Sequence, residues 1–279
     1  MFHALVAIKQ VPDTTNIRID PETGNLVREG VPAIMNPYDA HALAEAVAWK
    51  RKLGGKVTVV SMGPPSFNQT IREAIELGAD RGILISDRKF AGADTLATSY
   101  VLAEVIRQVH EEEPLHLIFF GKQAIDGDTA QVGPGVAVRL DLPIVTYATK
   151  IREVDLAGQK VVVERKTERW TEVVETPLPA LLTCEKEIAP IPFAPLPDLI
   201  NSLRYDPEMF TMEGPVAFET GEVGVRGSPT IVYKMGTPSL PEPGEKLNAR
   251  EIGVAAAVET ALGKAEAAGI LKAVLGGAV

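Results

Sequence analysis

The chain has 279 residues, 46% of them hydrophobic, which is enough for one large domain or a domain with a substantial extension. The net charge of -9 argues against a broad basic surface for nucleic acid, and the single cysteine, Cys184, excludes an intrachain disulfide. Apolar stretches are too short for a membrane helix, and the N-terminus lacks the pattern of a signal peptide. We therefore expect a soluble, cytoplasmic protein that neither binds nucleic acid nor inserts into a membrane.

Short apolar runs alternate with helical patterns through the first half of the chain. The predicted strands are 4–9, 56–63, 81–87, 115–123 and 143–154, and the predicted helices between them are 38–55, 66–80, 94–112 and 133–143. Asp94 or Thr95 is the predicted N-cap of the third helix. Strands that alternate with helices form β-α-β units, so we predict an α/β fold with an open, doubly wound, mostly parallel, Rossmann-like sheet.

The pattern changes after about residue 150. Alternation of apolar and polar residues predicts antiparallel strands in a β-hairpin region at 150–187, with a turn at 155–158. Residues 188–216 are rich in proline, and 248–275 have the apolar spacing of one amphipathic helix. We expect an α/β domain at 1–187 and an extended C-terminal arm at 188–279. The apolar residues of the arm favour a partner over a flexible tail.

Four loops follow the first four predicted strands, at the edge of an open parallel sheet where ligands bind. They read KQVPDTT, SMGPPS, SDRKFAGADT and GKQAIDGDTAQ. Glycine, proline and hydroxyl residues are frequent in them, and the last two lead into helix N-termini, which favour phosphate. A Walker A motif and the G-x-G-x-x-G fingerprint are both missing, so a kinase, a P-loop ATPase or a standard NAD site is not supported.

The fourth loop also admits interpretations without a nucleotide. Asp126 and Asp128 favour turns and helix caps with no ligand. With Asp13 and Asp20 they can form a magnesium site, although the spacing is not diagnostic. Hydrolysis has little support, because there is no G-x-S-x-G motif and Cys184 has no neighbouring histidine. An ATP-using α/β enzyme stays an alternative, weakened by the missing phosphate-loop and metal motifs.

Five segments occur in the same order and spacing as in the β subunit of electron-transfer flavoproteins, which this sequence resembles most strongly over residues 1–200. They read VAIKQVPD, GVPAIMNPYDAHALAEA, VVSMGPP, LGADRGILISD and GKQAIDGDTAQVGP, of which the last is the most specific. The resemblance implies an electron-transfer protein in an obligate heterodimer with an α subunit that carries FAD. It also implies that residues 1–187 form an adenine-nucleotide-binding domain, with a second nucleotide held in the loops described above.

Matching the family motifs to this sequence assigns the nucleotide site to several short segments. The residues are Ala7, Lys9, Asn36, Pro37, Tyr38, Asp39, Met62, Gly63, Asp94, Thr95, Thr98, Gly121, Lys122, Gln123, Ala124, Ile125, Asp126, Gly127, Asp128, Thr129, Ala130, Gln131 and Val132. We expect Asp126 or Asp128 to accept hydrogen bonds from ribose or from N–H groups of the loop. Phosphate is expected to meet backbone N–H groups, Thr129 and a helix dipole in place of a lysine. Neither a catalytic side chain nor a metal is expected.

Two features bear on which nucleotide is bound. The resemblance implies structural AMP in the housekeeping branch of the family and a redox-active FAD in the electron-bifurcating branch. Residues 11–32 resemble the bifurcating branch, whereas the housekeeping branch tends to carry an aromatic residue where Thr14 falls. Residues 91–99, AGADTLATS, resemble a segment that offers hydroxyls to the FAD diphosphate, which needs more donors than one phosphate. We expect FAD, with AMP as the alternative; Asp94 and Thr95 can cap the third helix in either case.

The bifurcating branch implies a mechanism and a set of partners. NADH gives a hydride to the FAD of the β subunit. One electron then passes to a low-potential acceptor, ferredoxin or flavodoxin, and the other to the α-subunit FAD and on to a dehydrogenase or quinone-linked partner. Such a subunit oxidises NADH, whereas the AMP form is a scaffold that docks acyl-CoA dehydrogenases.

A recognition loop for dehydrogenases is implied at 184–206, with Leu196 at its apolar anchor position. Here NSLRYD replaces the lysine-rich residues that follow the anchor in the family, which leaves the identity of the docked partner open. An ordinary exposed leucine is the simpler interpretation of Leu196.

Overall fold

The computed structural model describes residues 1–13, 18–19, 26–27, 32–231 and 245–270. Contacts divide the chain into two compact units, Met1–Met235 and Gly236–Val279. The predicted boundary after residue 187 separates a nucleotide-binding domain from a partner-binding arm, and it stays a prediction. Thr14, Asp20 and the end of the predicted C-terminal helix lie outside the described residues.

The elements of the described residues are as follows. The strands are β1 (Phe2–Ala7), β2 (Gln10–Pro12), β3 (Arg18–Ile19), β4 (Leu26–Val27), β5 (Ala33–Met35), β6 (Gly55–Met62), β7 (Arg81–Ile85), β8 (Leu117–Gly121), β9 (Ile144–Asp155), β10 (Lys160–Lys166), β11 (Thr171–Pro177), β12 (Ala180–Cys184) and β13 (Glu208–Phe210). The helices are α1 (Pro37–Leu53), α2 (Asn68–Glu76), α3 (Thr95–Glu112), α4 (Val132–Arg139), α5 (Leu196–Ser202), α6 (Ala249–Ile252) and α7 (Val254–Ala267).

One nine-stranded sheet organises the first unit, in the order β11-β10-β9-β12-β8-β1-β6-β7-β13. The pairs from β13 to β9 are parallel, and β10 is antiparallel to both of its neighbours, β9 and β11. The chain passes from β1 through β6 to β7 and then returns to the other side of β1 to form β8. This reversal is the mark of a doubly wound sheet, and the predicted fold class is confirmed.

Helices cover both faces of the sheet because its strands are apolar on both sides. In β1, Ala4 and Val6 pack in the layer under α1 and α2, whereas Leu5 and Ala7 pack in the layer under α3 and α4. Successive side chains of a strand point to opposite faces, which accounts for this alternation. The sheet is therefore buried, and its loops are left to carry a site.

Two details differ from the predicted elements. Strand β12 is not antiparallel to its neighbours: it lies parallel between β8 and β9, and all five of its residues are buried. A short, mostly apolar and fully buried run of this kind suits the interior of a parallel sheet. In the second unit, the predicted single helix is broken at Gly253, whose φ of 84° ends α6 before α7 begins. Across the described ranges, no helix combines the length and apolarity that a membrane crossing requires.

We expect the protein to lose stability in mild acid because of the buried His3. Burial, and then the charge of Lys56, lower the pKa of this histidine in β1 from 6.5 to about 4. The unfolded chain takes up a proton near pH 6.5 but the folded chain only near pH 4, so stability present above pH 6.5 is lost as the pH falls. We expect this residue to remove about 2 kcal/mol from the free energy of unfolding between pH 7 and pH 5. Urea denaturation of the wild type and a His3→Asn variant at both pH values measures it, and an unchanged pH dependence in the variant would contradict it.

Candidate functional site

A cavity of about 960 Å³ lies at the carboxyl ends of β8, β1, β6 and β7. Because the chain leaves β1 and β8 toward opposite faces of the sheet, a crevice opens between their loops, as in other doubly wound folds. Its volume is near the upper end of the range of about 300–1,000 Å³ for ligand pockets. All four loops that the sequence analysis selected contribute to its wall.

The cavity brings together most of the residues predicted for a nucleotide site. Those that line it are Ala7, Lys9, Asn36, Asp39, Met62, Gly63, Asp94, Thr95, Thr98, Gly121, Lys122, Gln123, Ala124, Gly127, Asp128, Thr129, Ala130, Gln131 and Val132. Pro37, Tyr38, Ile125 and Asp126 do not line it. Four further lining residues were not predicted, namely Phe67, Phe90 and Phe120, which form an apolar wall, and Thr230. Phe90 lies in one of the four predicted loops, but nothing in the sequence around Thr230 points to the cavity.

Asp39 joins the two loops at the strand reversal. One carboxylate oxygen accepts the backbone N–H of Lys9 at 2.8 Å, and the other accepts that of Gly121 at 3.1 Å. Asp39 is buried, and burial raises its pKa from 3.8 to about 7 even though these hydrogen bonds act in the opposite direction. Its oxygens accept bonds whether or not the group carries a proton. Asp39 thus fixes the spacing of β1 and β8 at the mouth of the cavity.

Asn36 performs a similar task beside Asp39. Its amide nitrogen donates to the carbonyl of Gln123 at 2.9 Å, its amide oxygen accepts from the N–H of Ile125 at 3.3 Å, and its backbone N–H donates to the carbonyl of Lys9 at 2.8 Å. A buried asparagine with these partners shapes a loop. Asn36 and Asp39 therefore direct their polar groups to the loops that build the cavity wall.

The aspartates of the fourth loop bond to neighbouring side chains. The carboxylate of Asp126 accepts a hydrogen bond from the ammonium of Lys9 at 2.7 Å, and that of Asp128 accepts one from the side-chain amide of Gln123 at 2.6 Å. Asp128 and Ala130 have φ values of 54° and 53°, a left-handed conformation that costs a non-glycine residue about 1–2 kcal/mol. Backbone strain of this kind is concentrated at ligand sites.

Lys122, the lysine beside Gly121, has an acidic neighbour of its own. Its ammonium lies 3.1 Å from the carboxylate of Glu185, and this hydrogen bond raises the pKa of the lysine. The predicted reliance on N–H groups in place of a lysine is consistent with these ion pairs, because both Lys9 and Lys122 already neutralise a carboxylate.

Two helix N-termini reach the cavity and offer different donors. Asp94 is the N-cap of α3, as predicted, and one of its oxygens accepts the N–H groups of Leu96 at 2.9 Å and Ala97 at 3.1 Å. Gln131, the N-cap of α4, makes no side-chain capping bond to the described backbone. The first turn of α4 therefore offers backbone N–H groups, whereas that of α3 offers mainly the hydroxyls of Thr95 and Thr98.

A direct hydrogen bond joins the two helix starts. The hydroxyl of Thr95 donates to the side-chain oxygen of Gln131 at 2.9 Å. The donors of α3 and α4 consequently lie at one place on the cavity wall. For the residues that the structure describes, no three His, Cys, Asp or Glu side chains cluster as metal ligands would.

The predicted recognition residue lies at the start of α5. Leu196 is its first residue, and 66% of its surface is exposed. Other exposed apolar side chains surround it in sequence, namely Ile191, Phe193, Leu199, Ile200 and Leu203. Six exposed apolar side chains therefore lie within residues 191–203.

Comparisons with a family model and with individual proteins agree on the family that this chain resembles. The family model "Electron transfer flavoprotein domain" matches residues 23–200. The chain is 47% identical over 237 residues to Protein FixA of Azotobacter vinelandii, covering 85% of this chain and 84% of that protein. It is 44% identical over 244 residues to the electron transfer flavoprotein subunit beta of Thermoanaerobacterium thermosaccharolyticum, covering 88% and 91%. The subunit of the same name from Clostridium acetobutylicum is 42% identical over 247 residues, covering 88% and 92%.

Proposed function

Because the chain belongs to the electron transfer flavoprotein β-subunit family, we propose that its cavity holds an FAD and that it works as the redox-active subunit of a heterodimer with an α subunit. When bound, this FAD supplies hydride acceptance from NADH and single-electron transfer to ferredoxin or flavodoxin and to the α-subunit FAD. The chain supplies the fold that holds and orients the nucleotide. Electron bifurcation is the activity that this arrangement serves.

The observation that carries the proposal is the hydrogen bond between Thr95 and Gln131, where the starts of α3 and α4 meet. A single phosphate needs the donors of one helix start, whereas a diphosphate is matched by two adjacent ones. The Thr95 hydroxyl now donates to a neutral amide, a bond worth about 1 kcal/mol, and a hydrogen bond to a charged phosphate is worth about 1.5–3 kcal/mol. The hydroxyl therefore gains by turning to a phosphate.

Each part of the cavity has a role in this proposal. The N–H groups at the start of α4 and the hydroxyl of Thr129 hold one phosphate, and Thr95 and Thr98 hold the other. Asn36 and Asp39 keep the loops in place. The apolar wall of Phe67, Phe90 and Phe120 excludes water from the remainder of the ligand.

Structural AMP is the second candidate for the cavity. It is supported by the start of α4, which alone suffices for one phosphate. AMP leaves Thr95, Thr98 and much of the cavity volume without a ligand group. In that case the chain is an electron-transfer scaffold that docks acyl-CoA dehydrogenases.

Two apolar surfaces fit protein partners. We propose that the surface around Leu196 docks the dehydrogenase or quinone-linked acceptor, since Leu196 and Phe193 are largely exposed. In the second unit, Val254, Val258 and Leu262 recur at helical spacing along α7 and are exposed. We propose that this face packs on the α subunit.

Removing the two hydroxyls of α3 tests the proposed site. In the heterodimer, we expect the double variant Thr95→Val and Thr98→Val to keep the α-subunit FAD and lose the second FAD. Two charge-assisted hydrogen bonds correspond to a loss of affinity on the order of 10² to 10⁴. Acid extraction and chromatography of the nucleotides measure the content.

The matched control is the double variant Thr95→Ser and Thr98→Ser, which keeps both hydroxyls and should keep the second FAD. Retention of the second FAD at wild-type affinity by the valine variant would contradict the assigned roles of Thr95 and Thr98.

A further inference from the structure

A segment after the last strand of the sheet packs along the β7–α3 loop. This segment, residues 211–230, is called the strap below. The N–H of Met212 donates to the carboxylate of Asp87 at 3.2 Å, and the ring of Phe218 meets that of Phe90 edge-on at a centroid distance of 5.1 Å. Val223 is buried in the core layer under α3. The strap is therefore held against the β7–α3 loop, most of whose residues line the cavity.

The end of the strap is fastened to Asp94. The hydroxyl of Ser228 accepts the N–H of Asp94 at 2.8 Å and donates to the carbonyl of Gly224 at 2.7 Å. Thr230 donates its N–H at 3.1 Å and its hydroxyl at 2.7 Å to one carboxylate oxygen of Asp94. The other oxygen caps α3. Four donors thus saturate a carboxylate that has about four lone-pair sites.

These hydrogen bonds determine whether the Thr230 hydroxyl can donate a further hydrogen bond or only accept one. Burial alone would raise the pKa of Asp94, but the hydrogen bonds from Thr230 and the first turn of α3 outweigh it and lower the pKa. The Thr230 hydroxyl keeps donating its hydrogen bond to the ionised Asp94, because a hydrogen bond to a charged group is worth about twice one to a neutral group. Thr230 lines the cavity, and its hydroxyl oxygen, whose proton is directed to Asp94, is then free only to accept. It favours a donor on the ligand and disfavours a phosphate oxygen.

We propose that Thr230 is a subsite of the cavity that accepts a hydrogen bond from a sugar-type hydroxyl of the bound nucleotide, with Asp94 as the residue that sets its polarity. Asp94 directly precedes Thr95, which marks the phosphate position, and the groups next to the phosphates of a dinucleotide are sugar-type hydroxyls. The inference rests on the proposed function, because it takes the position of a phosphate at Thr95 from that proposal. It also connects the ligand to the strap, which holds Thr230.

The experiment uses the full heterodimer after its nucleotides have been removed, with FAD, ADP and AMP as probes. We expect Thr230→Val to weaken binding about tenfold, the effect of one lost hydrogen bond of about 1.4 kcal/mol. Weakening for FAD alone identifies the hydroxyl as that of the flavin's polyol chain, and equal weakening for FAD, ADP and AMP identifies it as the adenosine ribose. Both outcomes support the subsite, and unchanged affinity for all probes would overturn it.

Two further variants separate ligand contact from a structural effect. Thr230→Ser keeps the hydroxyl and should restore wild-type affinity. Ser228→Ala loosens the strap without touching the cavity, and a loss equal to that of Thr230→Val would assign the effect to the strap and overturn the subsite. Hydrogen exchange should slow over 219–230 when nucleotide binds to the wild type, and less so in Thr230→Val. If the wild type binds AMP but not FAD, the proposed function fails while the AMP measurements still test Thr230.

Discussion

Replacing Asp39 with asparagine is expected to reduce the free energy of unfolding by about 4 kcal/mol and to empty the nucleotide site. Both oxygens of Asp39 accept backbone N–H groups, from Lys9 and Gly121. Asparagine keeps one acceptor but places its own N–H₂ group against a donor. One backbone N–H then loses its acceptor and the new N–H₂ group has none, at about 1–3 kcal/mol each. The loops of β1 and β8 then separate at the mouth of the cavity.

Urea denaturation and the nucleotide content of the heterodimer together measure this effect. Asp126→Asn is the matched control, because it removes a carboxylate near the same loops whose ion pair with Lys9 is partly exposed. An exposed pair of this kind contributes about 0–1 kcal/mol. If Asp39→Asn proved as stable and as well loaded with nucleotide as Asp126→Asn, the role of Asp39 at the strand reversal would be wrong.

Gly121→Ala is expected to destabilise the chain by about 3 kcal/mol or more and to displace the bound nucleotide. A Cβ at residue 121 would lie 2.3 Å from a carboxylate oxygen of Asp39 and 2.6 Å from the Cβ of Tyr38. The Cβ of Tyr38 and the backbone nitrogen of Asp39, at 2.9 Å, cannot shift without the backbone, so the first turn of α1 must move away from β8. Overpacking of this kind typically costs about 1–3 kcal/mol, and here two rigid contacts add to it.

The control for this glycine lies in the same loop. A Cβ at Gly127 would meet no described atom within 4 Å, and its φ is outside the left-handed region. We therefore expect Gly127→Ala to unfold at the wild-type urea concentration. Equal stability of the two alanine variants would show that β8 and α1 are not in the close contact described for Gly121.

The sheet could be predicted from the sequence because its signal is local. Each short apolar run, such as that of β1, lies between turn residues and is followed by a helical pattern. The antiparallel orientation predicted for β12 was wrong, because periodicity does not show which strands become its neighbours. Here the neighbours are β8 and β9, and both are parallel to it. The break at Gly253 was missed because the apolar spacing continues across it.

The location of the cavity was predictable from the sequence, whereas the hydrogen bonds within its wall were not. Loops after parallel strands identify the cavity from the sequence alone. The partners of Asp39 are 30 and 82 residues away, and Thr230 is 136 residues from Asp94. No local pattern reports such contacts. Asn36 and Asp39 line the cavity, and their assignment to the nucleotide stays a prediction, whereas their bonds to the loops could not be predicted.

The most direct test of the central claim is the nucleotide content of the wild-type heterodimer. The chain is purified together with its α subunit, the complex is extracted with acid, and FAD and AMP are counted per heterodimer. If the cavity holds a second FAD, we expect two FAD and no AMP per heterodimer. One FAD with one AMP would contradict it and make the chain a scaffold for electron transfer.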